Sequence, residues 1–334
     1  MLPSVRSGLR LRATALLTSS AIALVVSSAL GACGSEDPAA SSSGATPDEG
    51  GAGETTGDGD GASDARGERS PLVVERPYDV TTPSKYDPNV PTPLVLLLHG
   101  YTATAKIQDG YFLMSALAEQ KGFLLALPDG TVNSVGENFW NATDACCDGF
   151  ESGVDDVAYL AAVIEDMKAR FNVDPKRIYA VGHSNGGFMA HRLACDLASE
   201  IAGIVSLAGG VHADASKCKP TEPVAVLQVH GDQDATVLYE GGAALYPGGG
   251  PYPSAKQTVA TWATKNGCGD ALSDTGEALD LDTKIAGAET KVERHACTKG
   301  AAELWTIVGG AHIPSIDEGF GEKAWAFLEA HAKP

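Results

Sequence analysis

The sequence predicts an α/β fold in which a mostly parallel sheet carries helices on both faces. Short apolar runs without polar alternation recur along the chain, as buried parallel strands do. Amphipathic segments of helical period lie between these runs, the alternation that builds a doubly wound sheet. A Gly-bracketed serine, Gly182-His183-Ser184-Asn185-Gly186, joins one such run to one such helix.

The core strands are expected at residues 94–98, 123–127, 178–181, 204–207, 224–229 and 304–308. Helical patterns occupy 108–120, 154–171, 187–197 and 254–266, and 317–331 closes the chain. Residues 72–80 and 291–297 are expected as antiparallel edge strands. No internal repeat interrupts the order, so residues 71–334 are assigned to one catalytic domain, expected as a monomer.

Ahead of that domain, Arg6, Arg10 and Arg12 precede an apolar stretch over 13–32 that ends in Leu30-Gly31-Ala32-Cys33. This is the layout of a secretion signal. Small residues before a cysteine resemble the bacterial lipobox, which implies residues 1–33 as signal peptide and Cys33 as the lipidated first residue of an exported, surface-held chain. An uncleaved membrane anchor is the other reading, weakened by Thr18, Ser19, Ser20, Ser27 and Ser28. Residues 34–70 hold nine acids, two arginines and no large apolar side chain, so they are expected as a disordered, self-repelling tether.

The chain carries 43 acidic residues against 24 lysines and arginines, a net charge of −19. Such a surface repels nucleic acid and anionic headgroups, and no basic patch offsets it, so nucleic-acid binding is discarded and membrane contact is expected only through the N-terminal lipid. No Walker loop, dinucleotide fingerprint or metal-ligand spacing occurs, and no cofactor or metal is expected. Of seven cysteines, six remain beyond Cys33 in an exported chain, an even number that suggests three disulfides.

Parallel sheets present functional loops at the carboxyl ends of their strands. Those ends carry His99-Gly100, Pro128-Asp129-Gly130, Ser184, then His230-Gly231-Asp232-Gln233-Asp234 and finally Gly309-Gly310-Ala311-His312. A strand, a tight Gly-flanked turn with Ser184 and a helix form a nucleophile elbow, and Ser, Asp and His follow in the order of an α/β-hydrolase.

These segments, with 140–147, Val154-Asp155-Asp156-Val157 and 262–268, resemble the esterase family of α/β-hydrolases that includes secreted polyhydroxybutyrate depolymerases and feruloyl esterases. The resemblance extends over most of residues 72–328. It implies the α/β-hydrolase fold, with Ser184 as nucleophile, His312 as general base and an acid four positions after His230, which selects Asp234 over its neighbour Asp232. Chemistry asks for such a set, because a serine hydroxyl is a poor nucleophile until an oriented imidazole takes its proton. Backbone N–H groups of Tyr101 and Asn185 stand where the family forms its oxyanion hole. The Tyr101 side chain is read either as pocket lining or as plain wall, and His99, His183 and His230 as hydrogen-bonded packing residues without a partner visible in sequence.

The family pattern further implies bridges Cys195–Cys218 and Cys268–Cys297, each worth roughly 3 to 4 kcal/mol by loop entropy. Cys146 and Cys147 are left to each other or to a free or different pairing. Trp140 and the Gly-rich segment 239–253 are expected at the substrate rim. Ala311 and Ile313-Pro314 depart from the family's usual residues, which puts acyl and leaving-group preference in question. Implied substrates are feruloyl or acetyl esters on plant polysaccharide, or short hydroxyalkanoate oligomers. A peptidase on the same fold and a non-catalytic surface-binding lipoprotein are the rival readings.

Overall fold

The computed structural model describes residues 69–243, 245–246 and 249–334. The signal, Cys33 and nearly all of the tether lie outside the described residues.

The expected core strands form, with adjusted ends. In chain order the strands are β1 (Asp79–Thr81), β2 (Thr92–Leu98), β3 (Leu124–Leu127), β4 (Thr131–Val132), β5 (Asn138–Phe139), β6 (Val173–His183), β7 (Gly203–Leu207), β8 (Ala225–Gly231), β9 (Leu272–Leu279), β10 (Thr290–His295) and β11 (Ala301–Ile307). Nine of them make one sheet in the order β1-β3-β2-β6-β7-β8-β11-β10-β9, and β4 and β5 form a separate hairpin. Strands β3 through β11 in that order run parallel, while β1 at one edge and β10 with β9 at the other are antiparallel.

The helices are α1 (Pro71–Glu75), α2 (Ala105–Phe112), α3 (Met114–Lys121), α4 (Asp156–Arg170), α5 (Asn185–Asp196), α6 (Ala255–Asn266) and α7 (Glu318–Glu329). Alternation along β2 decides which of them covers which face. Leu94, Leu96 and Leu98 point into a cluster with residues of α1, α4, α5 and α6, whereas Val95 and Leu97 meet Phe112, Leu117, Phe320 and Trp325 from α2, α3 and α7. Burial of both faces is why these strands read as unbroken apolar runs.

Three expectations need correction. Residues 72–80 do not form an edge strand: Pro71 presets the first turn of α1, and only β1 reaches the sheet, antiparallel to β3. The pattern over 108–120 is two helices, because Leu113 takes a left-handed conformation (φ 55°) and the Asp109 carboxylate accepts the Ser115 N–H. Strand β9 was not expected, since its residues between Leu272 and Leu279 are exposed and mostly polar and are ordered chiefly by pairing with β10, only the two end leucines packing against the core. At the near end, Arg69, assigned to the tether, instead makes a two-nitrogen ion pair with Asp166 of α4 at 2.7 and 2.9 Å.

One buried charge ties the layers beneath the strand ends. The Asp156 side chain is fully buried and accepts from Arg76 Nη1 at 2.8 Å and from the Asn141 backbone N–H at 2.7 Å. Burial pushes its pKa up, against the pull of the guanidinium, which also lies 3.5 Å from the Tyr159 ring centroid. Removing only the cation strands the carboxylate, so Arg76→Met is expected to cost about 3 kcal/mol in urea denaturation. Adding Asp156→Leu to that variant recovers part of the loss; a double variant less stable than Arg76→Met alone contradicts this account.

Candidate active site

The elbow begins where β6 runs into α5 with no intervening loop. Ser184 is forced to φ 53° and ψ −119°, a strained backbone for a residue with a side chain. The turn closes because two glycines leave room. A Cβ on Gly182 would lie 2.2 Å from the Gly186 oxygen, and a Cβ on Gly186 would lie 2.1 Å from the Leu98 oxygen. The Ser184 N–H is spent on the Leu207 carbonyl at 2.8 Å, which ties the elbow to β7.

Around the serine the structure brings together residues far apart in sequence. His312 Nε2 lies 3.0 Å from Ser184 Oγ, and His312 Nδ1 lies 2.7 Å from Asp234 Oδ2. An ionised carboxylate only accepts, so the imidazole carries its proton on Nδ1 and offers bare Nε2 to the hydroxyl. Asp234 is filled on every side, with Oδ1 accepting from the Thr236 and Val237 N–H groups at 2.8 and 2.9 Å. Burial alone would raise its pKa, but donors from His230, His312 and Thr236 outweigh that and hold it well below the usual carboxylate range. Asp232 does something else: its Oδ1 accepts the Gly309 N–H at 2.7 Å and so fastens the end of β11 to the end of β8.

The loop after β2 and the first turn of α5 carry the Tyr101 and Asn185 amides. Among the described residues, neither the Tyr101 nor the Asn185 N–H donates a hydrogen bond to the protein. Both are held in place. Gly100 N–H donates to Gln108 Oε1 at 3.3 Å, Thr102 N–H to Asn138 O at 2.9 Å, and the Tyr101 hydroxyl to Glu137 at 2.6 Å. The Asn185 side chain accepts the Trp140 N–H at 2.7 Å and donates to the Trp140 carbonyl at 2.9 Å and to Cys146 Sγ at 3.4 Å. Such a site is equipped to deprotonate a hydroxyl and to meet a nascent oxyanion with two amides.

Trp140 is not a rim residue. Its side chain is fully buried under the loop after β2, where Nε1–H donates to the His99 carbonyl at 3.0 Å. The segment 239–253 is only in part a rim, because Tyr239 and Tyr252 are buried and the Gly250 N–H donates to the Asp144 carbonyl at 2.7 Å. Tyr101, Leu238 and Ile313 are the exposed apolar groups beside the set. Cys195 is bonded to Cys218 and Cys268 to Cys297, and Cys146 and Cys147 are bonded to each other.

Two of the three histidines read as packing groups touch the site. His183 Nε2 donates to the His312 carbonyl at 2.9 Å, and its ring centroid lies 5.1 Å from that of His312. Burial lowers its pKa to about 4, against the partial support of that hydrogen bond, so it is neutral at pH 7. His230 Nε2 approaches Asp234 Oδ2 at 3.3 Å. Tyr111 was not singled out either, yet its hydroxyl donates to the Pro314 carbonyl at 2.8 Å and steadies the loop that carries His312. No spacing in the sequence announces these contacts, since each partner is more than a hundred residues away or turned by local backbone geometry.

A serine, an imidazole and a buried aspartate at the carboxyl ends of a parallel sheet define the class: the chain has the α/β-hydrolase fold. Residues 93–245 match the α/β-hydrolase fold family. Feruloyl esterase B of Piromyces equi is 31% identical over 262 residues, which cover 76% of this chain and 45% of that one. Poly(3-hydroxyalkanoate) depolymerase C of Paucimonas lemoignei is 27% identical over 247 residues, covering 69% of this chain and 56% of that one. The chain thus spans about half the length of the curated relatives it matches. An acetyl xylan esterase structure from Aspergillus awamori shares the fold at a TM-score of 0.51 and 15% identity, covering 74% of this chain and 93% of that one. The chain therefore has the α/β-hydrolase fold and is similar in sequence to a feruloyl esterase and a poly(3-hydroxyalkanoate) depolymerase.

The two aspartates separate cleanly in their partners, so they are expected to separate in effect. Asp234→Asn removes the acceptor that sets the imidazole tautomer and is expected to lower kcat about a thousandfold or more, while Asp232→Asn is expected to cost about tenfold or less. Steady-state rates on a simple ester check this, and the reverse ranking contradicts it.

Proposed function

We propose that the protein is an exported serine carboxylic ester hydrolase that works through an acyl-enzyme on feruloyl, acetyl or short hydroxyalkanoate esters. The observation that carries this reading is the continuous line from Asp234 through His312 to Ser184 Oγ. His312 Nε2 takes the Ser184 proton as Oγ attacks the ester carbon. The carbonyl oxygen becomes the oxyanion held by the Tyr101 and Asn185 amides, and collapse expels the alkoxide, which leaves with the proton from His312. Water then repeats the sequence on the acyl-enzyme, losing its proton to His312 and releasing the acid. No step calls for a cofactor.

Relatives named as a feruloyl esterase and a poly(3-hydroxyalkanoate) depolymerase support the substrate class. The basic, apolar and Cys33 pattern at the N-terminus supports export with a lipid on Cys33, and the acidic residues 34–70 suit a spacer between lipid and catalytic domain. Exposure of Tyr101 (37%), Leu238 (45%) and Ile313 (64%) supports an open mouth that accepts bulky alcohols and buries little of a long acyl chain.

Ser184→Ala is expected to abolish turnover of p-nitrophenyl acetate while moving the thermal midpoint little; more than roughly a tenth of the wild-type kcat remaining would exclude the mechanism. On the wild-type protein, kcat/KM is expected to be highest for acetyl and methyl ferulate esters and to fall toward palmitoyl. A steady rise with chain length would point to a lipase instead.

A further inference from the structure

Behind Asp234 runs a line of buried polar side chains that the proposed reaction does not use. Trp262 of α6 donates through Nε1–H to His191 Nδ1 at 3.0 Å. His191 of α5 faces Gln228 Oε1 through Nε2 at 2.8 Å, and Gln228 Nε2 lies 3.2 Å from His230 Nδ1 on the same strand, β8. His230 Nε2 then lies 2.8 Å from the Val237 carbonyl and 3.3 Å from Asp234 Oδ2. Trp262, His191 and Gln228 are 0% exposed and His230 1%, so water has no access to reset any of these bonds.

Every link has only one possible direction. An indole N–H can only donate, so His191 Nδ1 must be bare and its proton sits on Nε2. That proton requires an oxygen from Gln228, which turns the amide nitrogen toward His230. The Gly209 carbonyl, 3.0 Å from the same nitrogen, can only accept and demands the same orientation. His230 Nδ1 therefore accepts, and its proton is on Nε2, where the Val237 carbonyl also demands a donor. Three one-way groups from different parts of the chain, Trp262, Gly209 and Val237, thus impose one and the same arrangement.

We propose that Trp262, His191, Gln228 and His230 form a positioning relay that locks His230 as a neutral ring whose Nε2–H is shared between the Val237 carbonyl and the Asp234 carboxylate, and thereby orients the acid of the triad. The inference rests on the esterase reading of the site. The Val237 residue closes the device: its N–H holds Asp234 Oδ1 while its carbonyl holds His230. Asp234 Oδ2 accepts the His312 Nδ1–H at 2.7 Å and also faces the His230 Nε2–H, which points chiefly at the Val237 carbonyl, at 3.3 Å, so rotation of the carboxylate away from the imidazole would forfeit both contacts. Burial lowers the His191 pKa to about 4, which keeps that ring neutral and the chain of single protons intact at pH 7. A merely structural network would fill space and satisfy polar atoms; a relay also sets how strongly Asp234 draws on the His312 proton.

The direct test reads the tautomers of His191 and His230 in the intact wild-type protein at pH 7 from long-range 15N–1H correlations. The relay requires both protons on Nε2, and either ring found protonated on Nδ1, or on both nitrogens, overturns it. The functional arm compares His230→Leu, which removes the donor, with His230→Gln, whose amide N–H reaches the place of the ring Nε2. His230→Leu is expected to lower kcat about tenfold with KM within about twofold, and to move the acid limb of the kcat/KM profile to higher pH. That direction follows because a carboxylate with one donor fewer holds an imidazolium more strongly. His230→Gln is expected to restore both. The other titratable groups facing this cluster are His183 from the elbow, Tyr111 from α2, His212 toward His191, Tyr239 against the His230 ring and Asp232 in the same turn, and both variants leave them in place. An unmoved acid limb in His230→Leu, or no recovery in His230→Gln, overturns the relay. Should His230→Leu fail to fold, the wild-type tautomers decide alone. They are read without turnover, so their failure is distinguishable from an absence of ester hydrolysis, which would overturn the function instead.

Discussion

The site depends on one close approach of backbone to backbone. Strand β6 can turn into α5 at Ser184 only because Gly182 and Gly186 let the start of that helix press against the end of β2. Any side chain at either glycine would drive the helix off the sheet and release Ser184 from its positive φ. The strain of that residue is held by the packing on both sides of it, by the Leu207 carbonyl and by the buried first turn of α5. From that one constraint follows the half-buried setting of the Ser184 side chain at the start of α5.

Once the elbow is set, the remaining groups reach it through neighbouring strands. His312 and Asp234 arrive from the ends of β11 and β8, which pair with each other, and Asp232 ties those ends together. Most of the anchoring is done by groups that never meet a substrate. His183 and Tyr111 hold carbonyls of the His312 loop, Asn185 clamps Trp140, and Asp156 holds the segment that carries Trp140. Buried polar groups of this kind destabilise a core unless each finds its partner, and here the anchoring side chains Asp156, Asn185 and Asp234 are each paired. Their return is a geometry in which the serine, the imidazole and two amides need little rearrangement before reaction.

Much of this was legible in the sequence, for physical reasons. Runs such as Leu94 to Leu98 are apolar on both faces of the sheet, so they stand out, and the glycines at 182 and 186 have no other use than close approach. The order of Ser184, Asp234 and His312 could be read because each ends a strand. What stayed illegible depended on contacts across the fold. The mostly polar edge strand β9 is held chiefly by pairing with β10, and the left-handed break at Leu113 is a local choice that periodicity does not register. Trp140 looked like a rim aromatic because the sequence gives its neighbourhood but not its depth. The partnership of His230 with Asp234, and of Trp262 with His191, joins residues whose roles appear only when α5, α6 and β8 meet.

The central claim is that Ser184 is the one hydroxyl among the described residues made nucleophilic by its surroundings. Treatment of the folded protein with a fluorophosphonate, followed by intact-mass and peptide mapping, tests that claim without any assumption about the natural ester. The account predicts a single stoichiometric adduct on Ser184, absent after prior denaturation. An unreactive protein, or an adduct on any other residue, would contradict it.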